Sequence, residues 1–445
     1  MKNKKNNSVT SWIETIPLGW SVARVKDVVK TKVTDGPHET PVFVDESEGV
    51  PFVSAEAVSS GKLNFEKVRG YISHAEHRRF SRKFIPKRND IFIVKSGATT
   101  GVAAFVDTDR IFNIWSPLAA LRCNGDIVNP RFGFHFVSSS IFRGMIEYYW
   151  SFGTQQNIGM GVLEKLYIPL PPLPEQITIA DYLDKTTALI DKQRALLERK
   201  KALLQEHKKS LIHEAVTKGL DSSVPMKASG VDWIGDVPNG WEIGRLKDVT
   251  KVGAGNPAPL PDLLSENESD VPFLRVSDLS SAKNGFCSVS KDKVKNPENL
   301  GLKVWKAGTF VFPKSGESIR SNVRAVLARD MAVVSHLACV INRKNLNTRL
   351  CFWLLNSLNF ESKIIQTALP ALGLKVIQDY EIALPPMPEQ VAIAEYLDRA
   401  TELVDRNVRL INRKLDALTQ LRTSVIHEAV TKGVPSYAQP QQEAA

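Results

Sequence analysis

Each half of this 445-residue chain contains one loop that begins with the tripeptide Lys-Ser-Gly, and the two loops are similar in composition. Lys95–Gly101 reads KSGATTG and Lys314–Asn322 reads KSGESIRSN, and both follow an apolar run typical of a strand. Such loops suit nucleic acid, because lysine and hydroxyl groups bind phosphates or base edges and glycine lets the backbone approach closely. An ordinary β-turn is the structural alternative. The residues that we expect to contact nucleic acid in these loops are Lys95, Ser96, Thr99, Thr100, Lys314, Ser315 and Ser318.

A dense basic segment, HAEHRRFSRKFIPKR, spans His74–Arg88. Lysine and arginine neutralise phosphates and give salt-dependent affinity without sequence information. A solvated charged face would have the same composition. The net charge of +10 and the pI near 9.3 also favour a polyanionic partner, but alone they indicate only non-specific attraction. Further nucleic-acid contacts are therefore expected from Arg78, Arg79, Arg82, Lys83, Arg275, Arg320 and Arg324.

The sequence lacks recognisable catalytic motifs. It has no G-x-x-x-x-G-K-[ST] phosphate loop and no [DN]-P-P-[YFW] tetrapeptide of the kind that amino-methyltransferases use. Pro261-Asp262 with Glu361-Ser362-Lys363 loosely imitates a nuclease carboxylate pattern, but the spacing is long and the first half has no copy. His74 and His77 could share a helix face, yet further metal ligands are not evident near them. We therefore predict no catalytic residue, no metal site and no cofactor in this chain.

The four cysteines are scattered without a C-x-x-C pair, which predicts reduced structural thiols rather than a zinc site or a disulfide framework. No run of about 18 apolar residues occurs, so no transmembrane helix is predicted. The first residues, MKNKKNNSVTSW, are basic, but no apolar signal region follows them. We therefore expect a cytoplasmic protein that does not bind membranes.

The elements that must position the loops are organised by an internal repeat. Pro171–Gly219 returns, altered but recognisable, as Pro385–Gly433, at a constant interval of 214 residues (385 − 171 and 433 − 219). Each copy opens with a proline cluster, PPLPEQ or PPMPEQ, and then has no proline or glycine until its last residue. Proline suits the first helical turn and glycine the end of a helix. Each copy therefore predicts a helix of about 43 residues, ~65 Å long.

Apolar residues recur every seven positions along both helices, with charged residues between them. This pattern predicts a coiled coil in which each helix packs against its own duplicate. We expect Leu189, Leu196 and Leu203 to widen the first stripe, and Val408 and Leu415 to widen the second. A rod that separates two domains is the functional interpretation, and the long-helix core of an all-α protein is the alternative. The heptad positions are Leu183, Ile190, Leu197, Leu204, Leu211, Leu397, Val404, Ile411, Leu418 and Val425.

The segments between the helices predict two α+β domains, each with a twisted, mainly antiparallel sheet. Pro130–Tyr149 and Arg349–Gln366 have the composition of helices. Short β-rich runs bounded by Gly, Asp or Pro are typical of strands. These runs are Ile91–Lys95, Gly101–Val106, Leu118–Arg122, Thr309–Pro313, Val323–Ala328 and Ala332–Asn342.

The duplication extends beyond the helices. Each half opens with a tryptophan motif, Trp12–Val29 and Trp233–Thr250, whereas Thr34–Pro41 has no clear counterpart in Gly253–Pro261. The scaffold is thus repeated while the segments that it carries differ. The predicted boundaries are 1–19 for a tail and the first tryptophan motif, 20–168 for domain 1, 169–219 for helix 1, 220–240 for a linker and the second motif, 241–382 for domain 2, 383–433 for helix 2 and 434–445 for a disordered tail.

The order of these parts resembles the specificity subunit of type I restriction-modification enzymes. The most specific marks, beside the tryptophan motifs, are Pro171–Gln176, Pro385–Gln390 and the turn GTQQNI at Gly153–Ile158, which the second half replaces with ALPALG. The resemblance implies that each variable domain is a target recognition domain that reads one half of a split sequence in double-stranded DNA. It adds Gln155 and Gln156 to the expected DNA contacts.

The resemblance also implies an α+β fold of two pseudo-twofold-related target recognition domains joined by two long antiparallel helices that form a coiled-coil spacer. The helices would dock two methyltransferase subunits, and two motor-nuclease subunits would join for restriction. S-adenosylmethionine, ATP and Mg²⁺ would belong to those partners and not to this non-catalytic chain. Two alternatives stay open here: the recognition part of a fused methyltransferase-nuclease, and a stand-alone DNA-binding scaffold.

Overall fold

The chain folds into two compact units. The computed structural model describes residues 11–58, 61–149, 157–265, 267–282, 285–321, 323–343, 345–366 and 369–436. The first unit comprises the residues up to Leu197 together with those from Asn412 onward, and the second comprises Glu198–Ile411. Each unit therefore combines one globular domain with segments of both long helices.

The domain of the first unit, domain 1, is built on two four-stranded sheets and a two-stranded ribbon. Its strands are β1 (Ser21–Arg24), β2 (Thr34–Asp35), β3 (Phe43–Val44), β4 (Gly49–Val53), β5 (Gly70–Ser73), β6 (Ile91–Val94), β7 (Ala103–Phe105), β8 (Asn113–Ile114), β9 (Leu118–Leu121) and β10 (Tyr167–Leu170). The two sheets have the strand orders β2-β9-β6-β7 and β3-β5-β4-β8, and β1 pairs with β10. All pairings are antiparallel except β4 with β8.

The helices of the first half follow from local capping signals. The Asn129 side chain accepts hydrogen bonds from the first turn after Pro130, and Ser139 caps a second helix through Phe142. The extended backbone at Ser139 therefore divides the segment that we predicted as one helix. The helices are α1 (Val25–Val28), α2 (Ala55–Val58), α3 (His74–Ser81), α4 (Pro130–Val137), α5 (Ser140–Tyr148), α6 (Met160–Lys165) and the long α7 (Leu173–Lys218).

The domain of the second unit, domain 2, has two five-stranded sheets. The strands of this unit are β11 (Met226–Ala228), β12 (Asp236–Pro238), β13 (Glu242–Arg245), β14 (Thr250–Ala254), β15 (Leu264–Ser265), β16 (Val271–Leu274), β17 (Phe286–Cys287), β18 (Asp292–Val294), β19 (Val304–Trp305), β20 (Phe310–Pro313), β21 (Ala325–Leu327), β22 (Met331–Val333), β23 (Leu337–Asn342) and β24 (Glu381–Leu384). The sheet orders are β14-β23-β20-β21-β17 and β15-β18-β16-β22-β19, with β11-β12 and β13-β24 as separate ribbons. Only two of these pairings, β16 with β22 and β17 with β21, are parallel among the described strands.

Two predictions in the second half are longer than the elements that form. The run Ala332–Asn342 was expected to be one strand, but the chain turns between β22 and β23. The predicted helix Arg349–Gln366 ends early, because Leu358 adopts an extended conformation. The helices of this half are α8 (Leu246–Val249), α9 (Thr348–Ser357), α10 (Leu374–Gln378) and the long α11 (Met387–Lys432). The α+β class with mainly antiparallel pairing is confirmed, although each domain has two main sheets instead of one.

The long helices run antiparallel within each unit. In the first unit Asp191 of α7 pairs with Arg422 of α11 at 3.2 Å, and Glu175 at the start of α7 lies beside Gly433 after the end of α11. In the second unit Lys208 of α7 lies 2.7 Å from Asp405 of α11. The helix ends also enter the domain cores, so that apolar side chains of both helices share one cluster with the domain in each unit.

The heptad residues lie on the packed faces of the helices. Leu183, Ile190, Leu397, Val404 and Ile411 are buried. The half-buried positions are Leu197, Leu204, Leu211, Leu418 and Val425. The expected widening of the second stripe is confirmed at Leu415, which is buried. The expectation for the first helix is wrong, because Leu189, Leu196 and Leu203 are 64%, 59% and 56% exposed. These three leucines form a separate, outward-facing row at the same seven-residue spacing.

Candidate nucleic-acid interface

Lys95 and Lys314 occupy the same place in the two domains. Lys95 directly follows β6, and its backbone N–H donates to the carbonyl of Pro117 at 2.8 Å. Lys314 directly follows β20, and its N–H donates to the carbonyl of His336 at 2.9 Å. In both domains the acceptor immediately precedes the next strand of the sheet, β9 or β23. The two KSG loops are therefore structural equivalents, as their sequences suggest.

The segments after β2 and β14 are equivalent as well. Gly36 and Gly255 each press against a neighbouring strand, and a Cβ atom on them would lie 2.0 Å or 2.2 Å from a backbone carbonyl oxygen. No side chain fits at such a distance, so both positions require glycine. Our expectation that Thr34–Pro41 has no counterpart in Gly253–Pro261 is thus wrong. The shared interval of 219 residues (255 − 36 and 314 − 95) is the signal that would have revealed the match.

A carboxylate holds the lysines of domain 1. Asp35 Oδ1 accepts from Lys83 Nζ at 2.5 Å and Asp35 Oδ2 accepts from Lys95 Nζ at 2.6 Å. His38 Nε2 lies 3.0 Å from the same Oδ2 atom. Burial alone would raise the pKa of Asp35, but the two lysines outweigh it and lower that pKa below its ordinary value. The sequence did not identify Asp35, although it lies at the centre of this cluster.

The remaining side chains of the domain 1 loop serve mainly the turn. The Thr100 side chain is buried, and its hydroxyl donates to the Gly97 carbonyl at 2.6 Å. Ser96 forms a bridge to Asn157, which leads toward α6, and Thr99 is half-buried. The two glutamines expected to contact DNA, Gln155 and Gln156, lie outside the described residues.

The basic segment of domain 1 is partly exposed helix. Ser73 caps α3, and Arg78 and Arg79 lie exposed in its last turn. Arg79 pairs with Glu39 at 3.0 Å and with Glu76 at 3.5 Å, so part of its charge is neutralised. Arg82, just after the helix, is exposed too. Within the described part of the chain Arg78 and Arg82 form no ion pair, which leaves their charge available to a ligand.

The domain 2 residues are arranged differently. Ser315 Oγ lies 2.5 Å from His336 Nδ1, and Ser318 is half-buried in the turn that follows. Arg320 is exposed and donates to Gln366 at 2.8 Å. Arg275 is half-buried and pairs with Asp292. Among these groups Arg320 is the exposed cation, and its charge is partly neutralised by Glu317 at 3.2 Å and Glu361 at 3.7 Å.

Arg324 does not belong to this surface. Its side chain is buried and donates to the Leu355 carbonyl at 3.1 Å, and its guanidinium lies 4.4 Å from the centre of the Phe312 ring. Burial lowers the pKa of Arg324 to about 10. A guanidinium engaged in the core cannot reach a DNA phosphate without unfolding the segment around it. We therefore exclude Arg324 from the expected DNA contacts.

Sequence reasoning also missed the role of the PEQ motif, which is Pro174–Gln176 in the first half and Pro388–Gln390 in the second. Glu175 accepts a hydrogen bond from the Trp20 indole at 3.1 Å, and Gln176 accepts from the Asn129 backbone N–H at 2.8 Å. The second motif repeats both bonds, from Trp241 to Glu389 at 2.8 Å and from the Asn347 N–H to Gln390 at 2.8 Å. The two polar residues of the motif thus fix each domain to the start of its long helix.

A further junction lies three turns along each helix. In the first unit Asp184 accepts from Arg131 and from His135, both at 2.7 Å. In the second unit the corresponding Asp398 accepts from Arg349 and from the Trp353 indole. Burial would raise the pKa of Asp184, but His135 and Arg131 outweigh it and lower that pKa. The domains are therefore attached by charged hydrogen bonds as well as by apolar packing.

The described residues also bear on metal binding, thiol reactivity and membrane crossing. They contain no cluster of three or more potential metal ligands. The cysteines are free thiols, and burial raises the pKa of Cys123 and of Cys339 to about 12, which keeps them protonated at neutral pH. Within the same residues, no helix combines the length and the apolar character needed to cross a bilayer.

Comparison with known proteins agrees with this arrangement. The family model described as "Type I restriction modification DNA specificity domain" matches twice, over residues 17–199 and 238–420. Each match covers one globular domain and most of the helix that follows it. The MjaVIII type I restriction enzyme specificity subunit of Methanocaldococcus jannaschii is 25% identical over 411 residues, which is 88% of both chains.

Solved structures share the fold. A chain from a type I restriction-modification system, solved in a study of complex assembly and conformational transition, has a TM-score of 0.73 at 17% identity. The similarity covers 94% of this chain and 99% of that one. The HsdS subunit of Thermoanaerobacter tengcongensis has a TM-score of 0.50 at 18% identity, with 94% and 98% coverage.

Proposed function

Because this chain belongs to the family of type I restriction modification DNA specificity domains, we propose that it selects the DNA target of a type I restriction-modification enzyme. Each globular domain reads one half of a bipartite sequence in double-stranded DNA. The observation that carries this proposal is the pair of structurally equivalent loops at Lys95 and Lys314. The side chains around these two lysines differ between the domains. One scaffold with two different recognition surfaces suits a target whose two halves differ.

The exposed charges support a DNA ligand. Arg78, Arg82 and Arg320 are exposed in or near the predicted contact segments, and cations of this kind bind phosphates and position a protein on the duplex. The polar groups of the KSG loops, such as Ser315, are suited to base edges. Phosphate contacts of the first kind would set affinity, and base contacts of the second kind would set sequence preference.

The partners of the chain are two methyltransferase subunits, joined by two motor-nuclease subunits for restriction. The exposed leucines of the long helices support a protein partner, because Leu189, Leu196 and Leu203 are unprotected on α7 and Leu403 and Leu410 are 63% and 45% exposed on α11. Leu189 and Leu403 are related by the helix repeat, as are Leu196 and Leu410 (403 − 189 and 410 − 196 are both 214). A surface that is repeated in this way suits two copies of one partner.

The chemistry of the complex resides in those partners. S-adenosylmethionine, ATP and Mg²⁺ are expected in the methyltransferase and motor-nuclease subunits, because this chain has neither a G-x-x-x-x-G-K-[ST] phosphate loop nor a [DN]-P-P-[YFW] methyltransferase tetrapeptide. The chain itself contributes recognition and distance. Methylation of DNA by the purified chain alone would contradict this division and favour the fused methyltransferase-nuclease alternative.

A domain exchange tests the proposal directly. Residues 20–168 would be replaced by the corresponding domain of another family member, and methylated sites would be mapped by long-read sequencing of genomic DNA from cells with and without the chimera. The expected result is a change in one half of the recognised sequence while the other half is retained. A change in both halves, or an unchanged sequence, would contradict the assignment of one domain to one half-site.

A further inference from the structure

The strand register identifies a substitution between the two equivalent loops. Asp35 pairs with Ala119, and Ala119 pairs with Ile93 on the other side. In domain 2, Ala254 pairs with Ala338, which pairs with Phe312 in the same way. Lys95 lies two residues after Ile93, and Lys314 lies two residues after Phe312. Asp35 and Ala254 are therefore structural equivalents, and only domain 1 has a carboxylate there.

The carboxylate changes what the lysine shared by the two loops can do. Lys95 is ion-paired with Asp35 and only 12% of its side chain is exposed, and Lys83 is held on the other carboxylate oxygen. Lys314 is half-buried and has no ion pair with any residue that the structure describes. An ammonium that is already neutralised releases few counterions when DNA binds, whereas an unpaired ammonium beside a phosphate contributes a full contact.

Resting on the proposed DNA-binding function, we propose that Asp35 withholds Lys83 and Lys95 from DNA phosphates, and that its replacement by Ala254 leaves Lys314 free to bind one. Asp35 is thus a positioning residue that acts through two lysines. The two domains, although built alike, neutralise different numbers of phosphates at equivalent loops. In domain 1 the lysines instead fix the loop around Gly36, whose carbonyl also accepts from Lys83 at 3.2 Å.

The test is the salt dependence of DNA binding by the full chain. Affinity for a mixed-sequence duplex would be measured between about 50 and 200 mM salt, where each phosphate contact adds about 0.9 to the slope of log K against log salt. Asp35→Asn, which keeps the shape but removes the charge, is expected to steepen the slope by about 0.9 to 1.8, because one or two lysines are released. Lys314→Ala is expected to flatten it by about 0.9.

The reciprocal variant separates this role from a merely structural one. Ala254→Asp places a carboxylate opposite Lys314 and is expected to flatten the slope by about 0.9, opposite in sign to Asp35→Asn. Simple destabilisation would not give opposite slope changes at equivalent positions. Asp126→Asn is the matched control, because it removes one exposed negative charge from the same domain and the described residues give the Asp126 carboxylate no ion pair, so no cation is released. Its slope is expected to stay at the wild-type value.

Three results would overturn the inference. They are an unchanged slope in both Asp35→Asn and Ala254→Asp, shifts of the same sign in these two variants, or a slope for Asp126→Asn as steep as that for Asp35→Asn. Salt-independent binding by the wild-type chain, or no binding, would instead contradict the proposed function itself. Circular dichroism of each variant at the same salt concentrations would show that the slopes compare folded proteins.

Discussion

The indole nitrogen of Trp20 donates a hydrogen bond to a carboxylate oxygen of Glu175, across 155 residues of sequence. Trp241 and Glu389 repeat this bond across 148 residues. Both partners come from segments that the sequence marks as duplicated, the tryptophan motif and the PEQ motif. Each tryptophan immediately precedes a strand, β1 or β13, so the bond ties the start of that strand to the long helix of the same half, and it is a hydrogen bond to a charged group.

Replacing Trp20 by Phe is therefore expected to lower the free energy of unfolding by about 1 to 2 kcal/mol beyond the cost of the smaller ring, because the hydrogen bond to Glu175 is lost. Urea denaturation of the full chain measures the change. Trp12→Phe is the control: the Trp12 indole nitrogen is buried and has no hydrogen-bond partner among the residues described. Its removal is expected to cost less than that of Trp20, and equal losses would show that the hydrogen bond is immaterial.

Asp184→Asn is expected to destabilise the first unit in a pH-dependent way. The folded pKa of Asp184 lies below its ordinary value of 3.8, so its ionised form stabilises the fold above that pH. This contribution disappears as the pH falls through the lowered folded pKa. The difference in unfolding free energy between wild type and variant is thus expected to be largest near neutral pH and to shrink as the pH falls below 3.8 toward the lowered folded pKa.

Urea titrations across this pH range provide the measurement. Asp126→Asn in the same domain is the comparison for the unfolding free energy, since Asp126 is exposed and the described residues give its carboxylate no ion pair. A constant difference for Asp184→Asn from neutral to acid pH would mean that its charge does not matter to the junction.

Removing one heptad from each long helix is expected to shorten the spacer between the half-sites by about three base pairs. Seven residues correspond to ~10 Å of helix, and base pairs are stacked about 3.4 Å apart. The deletions belong within 192–207 of α7 and 406–421 of α11, between the Asp191–Arg422 and Lys208–Asp405 pairs. Both ion pairs then keep their register, and the half-sites themselves stay unchanged. Methylation mapping of the active complex reads both quantities, and an unaltered spacer would exclude the helices as its determinant.

Introducing charge into the exposed leucine row is expected to release the methyltransferase subunits. Leu196→Glu and Leu410→Glu together should reduce their co-purification with this chain at least tenfold, because a carboxylate would be buried at the interface. The fold should be unaffected, since both side chains face solvent. Leu260→Glu is the matched control, as Leu260 is 65% exposed in a loop of domain 2. Retention of the partners by the double variant would place the docking surface elsewhere.

The sequence is most informative where a local pattern along the chain determines the structure. Heptads fix which face of a helix is buried, so the positions from Leu183 to Val425 were predictable, and the helix limits followed from proline and glycine. The outward leucines, such as Leu196, were misjudged because hydrophobicity alone cannot show whether a side chain reaches the partner helix. Seven-residue spacing is the same for a buried and an exposed row.

The candidate site was less predictable because its contacts join distant segments. Lys95 looked like a free cation, but the partner that neutralises it, Asp35, lies 60 residues away. Arg324 had the residue type expected of a phosphate ligand, yet its aromatic and carbonyl neighbours hold it in the core. The equivalence of Gly36 and Gly255 depends on a backbone contact that residue identity does not encode.

The core of the first unit also sets an order of events during synthesis. Trp20 and Leu183 share this core with Ile426, Ala429 and Val430, which are near the other end of the chain. Those last side chains emerge from the ribosome only after the entire second domain has been translated. Domain 1 therefore cannot complete its core co-translationally, in contrast to the usual N-terminal-first order. Its final packing follows translation of the second domain, and until then the apolar side chains that Ile426, Ala429 and Val430 cover remain exposed.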